Sequence, residues 1–464
     1  MLRAWFAPTI NGAKIGVMTT KDADISATTS AGVATVTQQQ SNKLVVSAEH
    51  LGVGLVTITG LESFQTAQVV IQQSGENPVV LNIRSLPGDG DNFSFILSTC
   101  DFLRSQWSGN SWQAIRQQIK SPYPLLFRIH PDDVTYVDTM FVDDDVYVST
   151  NEPCISRSED DYYLAYGAWL GMFDTWFTGH NEDRQWCYQN LGVYASPGDH
   201  AFTDDYRRTN SHPVDPALEA SATNVWDNIF GMTNPDELTT GDDMAFGFTA
   251  GICSFVFSEM QHTCMPYNGS NTTFACYGGQ QITAWNNFFN ANKKQFNFLC
   301  MERFADAGGQ GWNEYHSTEA GGWKAAVSSN DNLNGVDGNL TLFTGDRHAQ
   351  IVVAHDMFWE FLPGQIHGQA SVGTNLLQTT FNWGGVIKHA ITTRESNGDR
   401  PLEGFMLVNV HATAETPYLE IIPYQTWQGE LADPGYKWVL YAGSDNNQWQ
   451  LRHATKGANG SAIV

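Results

Sequence analysis

Charge is scarce in this 464-residue chain: Asp, Glu, Lys and Arg together make up 16% of it, against roughly 25% in an average soluble domain. Cations are scarcer still. Twenty-four Lys and Arg face 49 Asp and Glu, giving a formal charge of −25. A field of that sign opposes any partner held by neutralising phosphates, which excludes a nucleic-acid coat and an anionic membrane surface as binding modes. An anionic substrate would need metal ions to offset the field. No apolar run approaches the roughly 18 residues of a membrane helix. The opening MLRAWFAPTINGAKIG has no basic stretch followed by an apolar one, so it does not read as a secretory leader. The seven cysteines are odd in number and include no C-x-x-C pair, so no zinc ribbon is spelled out. Cys253, Cys264 and Cys276 suit a disulfide in an oxidising space and buried thiols about equally.

What the chain does have is apolar and uncharged polar matter. Hydrophobic residues reach 42% and aromatic ones 12%, ample for one large core or two to three smaller ones. Residues 1–88 read as a β-sandwich: KLVVSAEHL, GLVTITGL, AQVVIQQ and VVLNIRSL are short apolar or alternating runs broken by Gly, Asn and Ser. PGDGD at 87–91 marks a boundary. Residues 89–464 then read as an α/β domain with aromatic-rich insertions around 205–310. FSFILSTC, PLLFRIH, LGVYA and NLTLFT are expected strands, and SGNSWQAIRQQIK, EDDYYLAYGAWLGMFDTWF and DPALEASATNVWDNIF are expected helices. HAQIVVAHD, GFMLVNVHA and PYLEIIPY carry further strands toward the end.

Four of these apolar strands run into groups that bind metals or move protons: Cys100; Asp132 and Asp133; Asp199 and His200; Asp346 and His348. In an α/β sheet, ligands bind where loops converge at the carboxyl ends of strands. Aspartate oxygens there neutralise and bridge cations, while imidazoles cap them or donate protons, which is what a two-metal hydrolytic site requires. Any single Gly-Asp pair is more often a turn than a ligand, and a lone Cys100 more often a core residue. The repetition after apolar strands carries the weight.

These segments resemble the PhoD-type alkaline phosphatases and phosphodiesterases of the metallophosphoesterase superfamily. NIRSLPGDGDNFSFILSTC is similar to the family's passage from a β-sandwich into the catalytic domain. IHPDDVTYVD resembles its His-Leu-Gly-Asp-x-Ile-Tyr segment, YASPGDHAFTDDY its Trp-Asp-Asp-His segment, and LTLFTGDRHAQI its Ser-Gly-Asp-x-His segment. GWNEYH resembles a Trp-Asp-Gly-Tyr stretch, matching at Trp312 and Tyr315. The resemblance spans about residues 80–355 in order. It implies a two-sheet α/β sandwich core of metallophosphoesterase type and hydrolysis of phosphate mono- or diesters by a metal-bound hydroxide. Its metals would be trivalent iron and calcium, with other divalent ions open. The implied ligands are Cys100, Asp133, Tyr136, Asp199, Asp205, Asp346 and His348. Asp199 and His200 would be the catalytic pair, and Arg184 or Arg207 would hold phosphate, since a guanidinium suits its geometry. Asp132, Asp204 and Asp205 are extra oxygen donors suited to calcium. The chain departs from the pattern at Asp132, where the family has glycine, and at Pro197-Gly198, which replace Trp-Asp and lose one carboxylate.

Two other readings compete. A structural or adhesion protein keeping a degenerate phosphatase fold suits the uncharged polar composition and the lack of a leader. It would be a virus particle component assembling with other copies or virion proteins, and an extracellular or virion-associated place is favoured over a cytoplasmic one. A calcium-stabilised carbohydrate-binding protein would use some of the 15 Trp for stacking, although most Trp in so aromatic a chain belong to the core.

Overall fold

The computed structural model describes residues 1–21, 23–42, 51–101, 110–136, 159–172, 181–202, 216–238, 244–260, 276–303, 305, 317–328, 340–345, 350–355, 358–367, 386–391, 403–427, 430–432, 436–442 and 448–451. Seven strands come first: β1 (Leu2–Thr9), β2 (Gly12–Thr19), β3 (Ile25–Thr29), β4 (Val33–Asn42), β5 (Leu51–Thr59), β6 (Thr66–Gln73) and β7 (Val79–Arg84). They form two antiparallel sheets, ordered β1-β2-β5-β4 and β3-β6-β7. Strict alternation of buried and exposed residues in β7 marks a strand with one dry face. Phe6, Ile15, Val56, Val69, Ile71 and Leu81 share one core cluster drawn from both sheets. Most of KLVVSAEHL lies outside the described residues; AQVVIQQ and VVLNIR are β6 and β7.

Next come β8 (Phe93–Leu97), β9 (Thr99–Asp101), α1 (Asn110–Gln117), β10 (Leu125–His130), α2 (Glu159–Trp169), α3 (Asn181–Asn190), β11 (Gly192–Ala195) and α4 (Pro216–Trp226). The chain continues through β12 (Phe246–Ala250), β13 (Cys253–Phe257), α5 (Gly278–Ala291), β14 (Phe296–Met301), α6 (Ser317–Ser328) and β15 (Leu340–Thr344). It ends with β16 (Gln350–Ala354), β17 (Trp359–Pro363), β18 (Gln365–His367), β19 (Val386–Ile391), β20 (Glu403–His411), β21 (Tyr418–Trp427), β22 (Glu430–Ala432), β23 (Tyr436–Tyr441) and β24 (Gln448–Leu451). One mixed sheet runs β11-β10-β8-β20-β21-β23-β24, with β22 beside β21. A second runs β12-β13-β14-β15-β17-β16-β19. Helices joining parallel neighbours are what parallel pairing demands, since a tight hairpin cannot connect such strands.

The period of two along each strand sorts its side chains. Phe93, Phe95 and Leu97 of β8 join one cluster with Phe255, Phe298 and Phe343 of the other sheet, whereas Ile96 joins Trp112, Trp169 and Tyr188 of the helices. Phe95 sits at the centre, 5.5 Å from the Phe255 ring, 6.0 Å from Phe298 and 6.1 Å from Phe343, all edge-on, the geometry that ring quadrupoles favour. On the far side of the second sheet, Leu299 and Leu342 pack with Trp285 and Phe289 of α5 and Trp323 of α6. Both sheets are thus buried on both faces, and the parallel strands β8, β10 and β11 deliver their carboxyl ends to one rim.

Candidate metal centre

The rim begins with a break. FSFILSTC reads as one strand ending at Cys100, but the chain divides at Ser98. The Ser98 amide donates to the Ile129 carbonyl (3.0 Å), and β9 then leaves the sheet to pair in parallel with β18. The amide of Cys100 donates to the Asp132 carbonyl (3.4 Å) and that of Asp101 to the Asp133 carbonyl (2.9 Å). These bonds fasten the two ligand-bearing loops together. Cys100 (φ 53°) and Asp133 (φ 46°) both hold left-handed backbone, which costs a non-glycine residue about 1–3 kcal/mol and persists only where its surroundings enforce it.

With the backbone so turned, Cys100 Sγ lies 3.7 Å from Asp132 Oδ2 and 3.8 Å from Asp133 Oδ2. The Tyr136 hydroxyl donates to Asp133 Oδ2 (3.1 Å). Asp199 and His200 follow β11 in a single 3-10 turn, Asp199–Ala201, and the His200 ring lies 4.1 Å from that of Tyr136. Glu302 follows β14, and its carbonyl accepts the Gly345 amide (3.0 Å) at the end of β15. Three sets of ligand atoms result, each within 4.8 Å of one another: Cys100, Asp132 and Asp133; Asp133, Asp199 and His200; and Asp132, Asp199 and Glu302. All are buried except His200, which is half-buried.

Burial first, and then the carboxylates of Asp132 and Asp133, push the Cys100 thiol well above its ordinary range. Burial, with Asp133, Cys100 and Asp132 after it, does the same to the Tyr136 phenol. Without a cation both groups keep their protons. A cation reverses that preference, because a bound metal deprotonates a coordinating thiol outright. Four buried acidic side chains beside a thiol, a phenol and an imidazole form a donor set suited to cations, and burying carboxylates together without a counter-charge is costly. The described residues form a set that could hold a metal.

His130, the last residue of β10, lies behind this cluster. Its Nδ1 is 3.1 Å from Ser98 Oγ, and burial, with the Arg128 charge, lowers its pKa to about 3. It is a neutral imidazole. Asp101 accepts from the Trp169 indole (3.0 Å). Arg184, expected to hold phosphate, is buried in α3 within electrostatic reach of Asp101 and Arg128. Asp204, Asp205, Arg207, Trp312, Tyr315, Asp346 and His348 lie outside the described residues. Glu302 was not singled out from the sequence, although the signal was present: the apolar FNFLCM runs directly into Glu302-Arg303, the strand-then-ligand pattern of the other three ends.

No helix among the described residues is long and apolar enough to cross a membrane. No protein-family model and no curated protein matches the chain. A solved structure described as "Structure of PhoD" matches its fold with a TM-score of 0.68 at 13% identity, covering 99% of this chain and 93% of that one. The fold is therefore PhoD-like, a mixed α/β architecture of several sheets.

Proposed function

We propose that this chain is a metal-dependent hydrolase of phosphate esters, acting on monoesters, diesters or both. The observation that carries the reading is the convergence of Cys100, Asp133, Tyr136, Asp199 and His200 from three separate strand ends into overlapping ligand sets, in a chain whose fold is similar to that of PhoD. In this reading the two large sheets form a metallophosphoesterase-like sandwich, and residues 1–88 form a β-sandwich domain attached to it. Thiolate and phenolate are strong anionic donors, so Cys100 and Tyr136 suit trivalent iron, while the carboxylates suit calcium. Bound cations would supply an acidified water and a sink for the charge of the phosphoryl oxygens.

The protein's own residues do the rest. Asp133, shared by two ligand sets, fixes the spacing of the cation positions. Asp199 holds the second position and orients the turn that carries His200. Half-buried, His200 is the member open to a bound ester, and it gives a proton to the departing oxygen. Its ring against Tyr136 keeps that proton aimed. Arg184, within electrostatic reach of Asp101, adds a positive charge that offsets part of the −25 that would repel a phosphate. Elemental analysis of the purified protein, run beside hydrolysis of p-nitrophenyl phosphate and bis-p-nitrophenyl phosphate with and without chelator, tests the proposal. Stoichiometric metal with chelator-sensitive turnover is expected. A protein with neither would retain the fold without the activity.

A further inference from the structure

Two glycines at the rim pose a question that backbone conformation does not answer. Gly198 has φ −88° and ψ 178°, an extended geometry open to any residue, and Gly345 is not among the glycines with positive φ. Space explains both. A Cβ on Gly198 would overlap Asp133 Oδ1, Asp132 Oδ1 and the Asp133 amide; one on Gly345 would overlap the Cβ, Cγ and Oδ2 of Asp132. Asp132 fills the space beside Gly345, and its carboxylate shares the space beside Gly198 with the side chain and amide of Asp133.

From there Asp132 reaches two of the ligand sets, with Cys100 and Asp133 on one side and with Asp199 and Glu302 on the other. We infer that Asp132 is a second shared carboxylate of the metal centre, and that Asp132, Asp199 and Glu302 form an oxygen-only cation position of this chain's own. The inference rests on the cleft binding cations, as the phosphoesterase reading requires, and adds which residues complete the second position. Three carboxylates, without thiolate or imidazole, favour a hard cation such as Mn2+ or Ca2+.

Full-length protein stripped with chelator is titrated with Mn2+ alone, followed by electron paramagnetic resonance, in wild type and in Asp132→Gly and Glu302→Gln. The wild type is expected to bind at two positions per chain. Asp132→Gly and the isosteric Glu302→Gln should each weaken one of them tenfold or more. Two positions undisturbed in both variants would overturn the inference while leaving the phosphoesterase reading standing. A wild type that binds no Mn2+ and contains no metal as purified would overturn both.

Discussion

His130 shows how much a single buried side chain can couple stability to pH. In the unfolded chain its imidazole titrates near 6.5; in the fold, burial holds it at about 3. Above the unfolded value both states are neutral and pH has no effect through this group. Between about 6.5 and 3 the unfolded chain binds one more proton than the native one, so stability falls as pH falls, by at most about 1.4 kcal/mol per pH unit. Denaturant midpoints measured from pH 7 to 4 should therefore drop less steeply in His130→Gln than in wild type, by the equivalent of about one proton. Parallel slopes would mean that the imidazole is charged in the fold. Cys100 gives a second residue-scale expectation: Cys100→Ala should reduce bound iron and hydrolysis together, and unchanged values of both would refute its role as a ligand. Asp133, Asp199 and His200 were legible because each follows an apolar run into a polar turn. Glu302 carried the same signal but lay in an aromatic-rich stretch whose strands and helices were not separated. His130 was not legible as a buried neutral group, because its burial comes from the packing around β10 and its Ser98 partner lies far away in the sequence.

Elements here are held at their ends as much as along their faces. Helix α5 opens with three amides, those of Cys276, Tyr277 and Gly278, that have no partner within the helix. All three donate to the carboxylate of Glu319 in the first turn of α6, at 2.8, 3.2 and 2.7 Å. A negative charge at a helix N-terminus is favourable on dipole grounds as well. Glu319→Ala should cost about 1–3 kcal/mol, seen as a lower urea midpoint with an unchanged slope, and Glu319→Gln should cost less. Equal midpoints for all three proteins would show that solvent satisfies those amides as well as Glu319 does. Sequence periodicity found β5–β8, β10, β11, β15, β16, β20 and β21 because alternation and apolar runs are local properties: PLLFRIH became β10, HAQIVVAHD β16 and PYLEIIPY β21. It missed α3, whose segment NEDRQWCYQN is polar nearly throughout and gains its helical state from packing Cys187 and Tyr188 into the core. It also ran β8 into Cys100, because the pairing that draws β9 away comes from Gln365–His367, more than 260 residues downstream.

For the whole molecule the controlling quantity is where its negative charge lies. Most of a net −25 spread over the surface is screened by salt, over roughly 8 Å at physiological ionic strength. Asp132, Asp133, Asp199 and Glu302 are different: they are buried, beyond the reach of diffuse counter-ions, so a cation bound among them offsets their mutual repulsion where dissolved salt does not. Chelation should therefore lower the melting temperature, and a divalent cation should restore it. A free cation at a hundred times its dissociation constant stabilises by about 2.7 kcal/mol. Sodium chloride, even at high concentration, should not substitute for the divalent ion. Asp133→Asn keeps the shape of the side chain but removes the charge shared by two ligand sets. Its melting temperature should respond to chelator less than that of wild type, because it loses one shared carboxylate while the set of Asp132, Asp199 and Glu302 remains. The diagnostic comparison is the size of the chelator effect in the two proteins. A wild type indifferent to chelator, or rescued equally by sodium chloride, would place the stabilising role of cations on the surface and remove the energetic reason for gathering four carboxylates in one cleft.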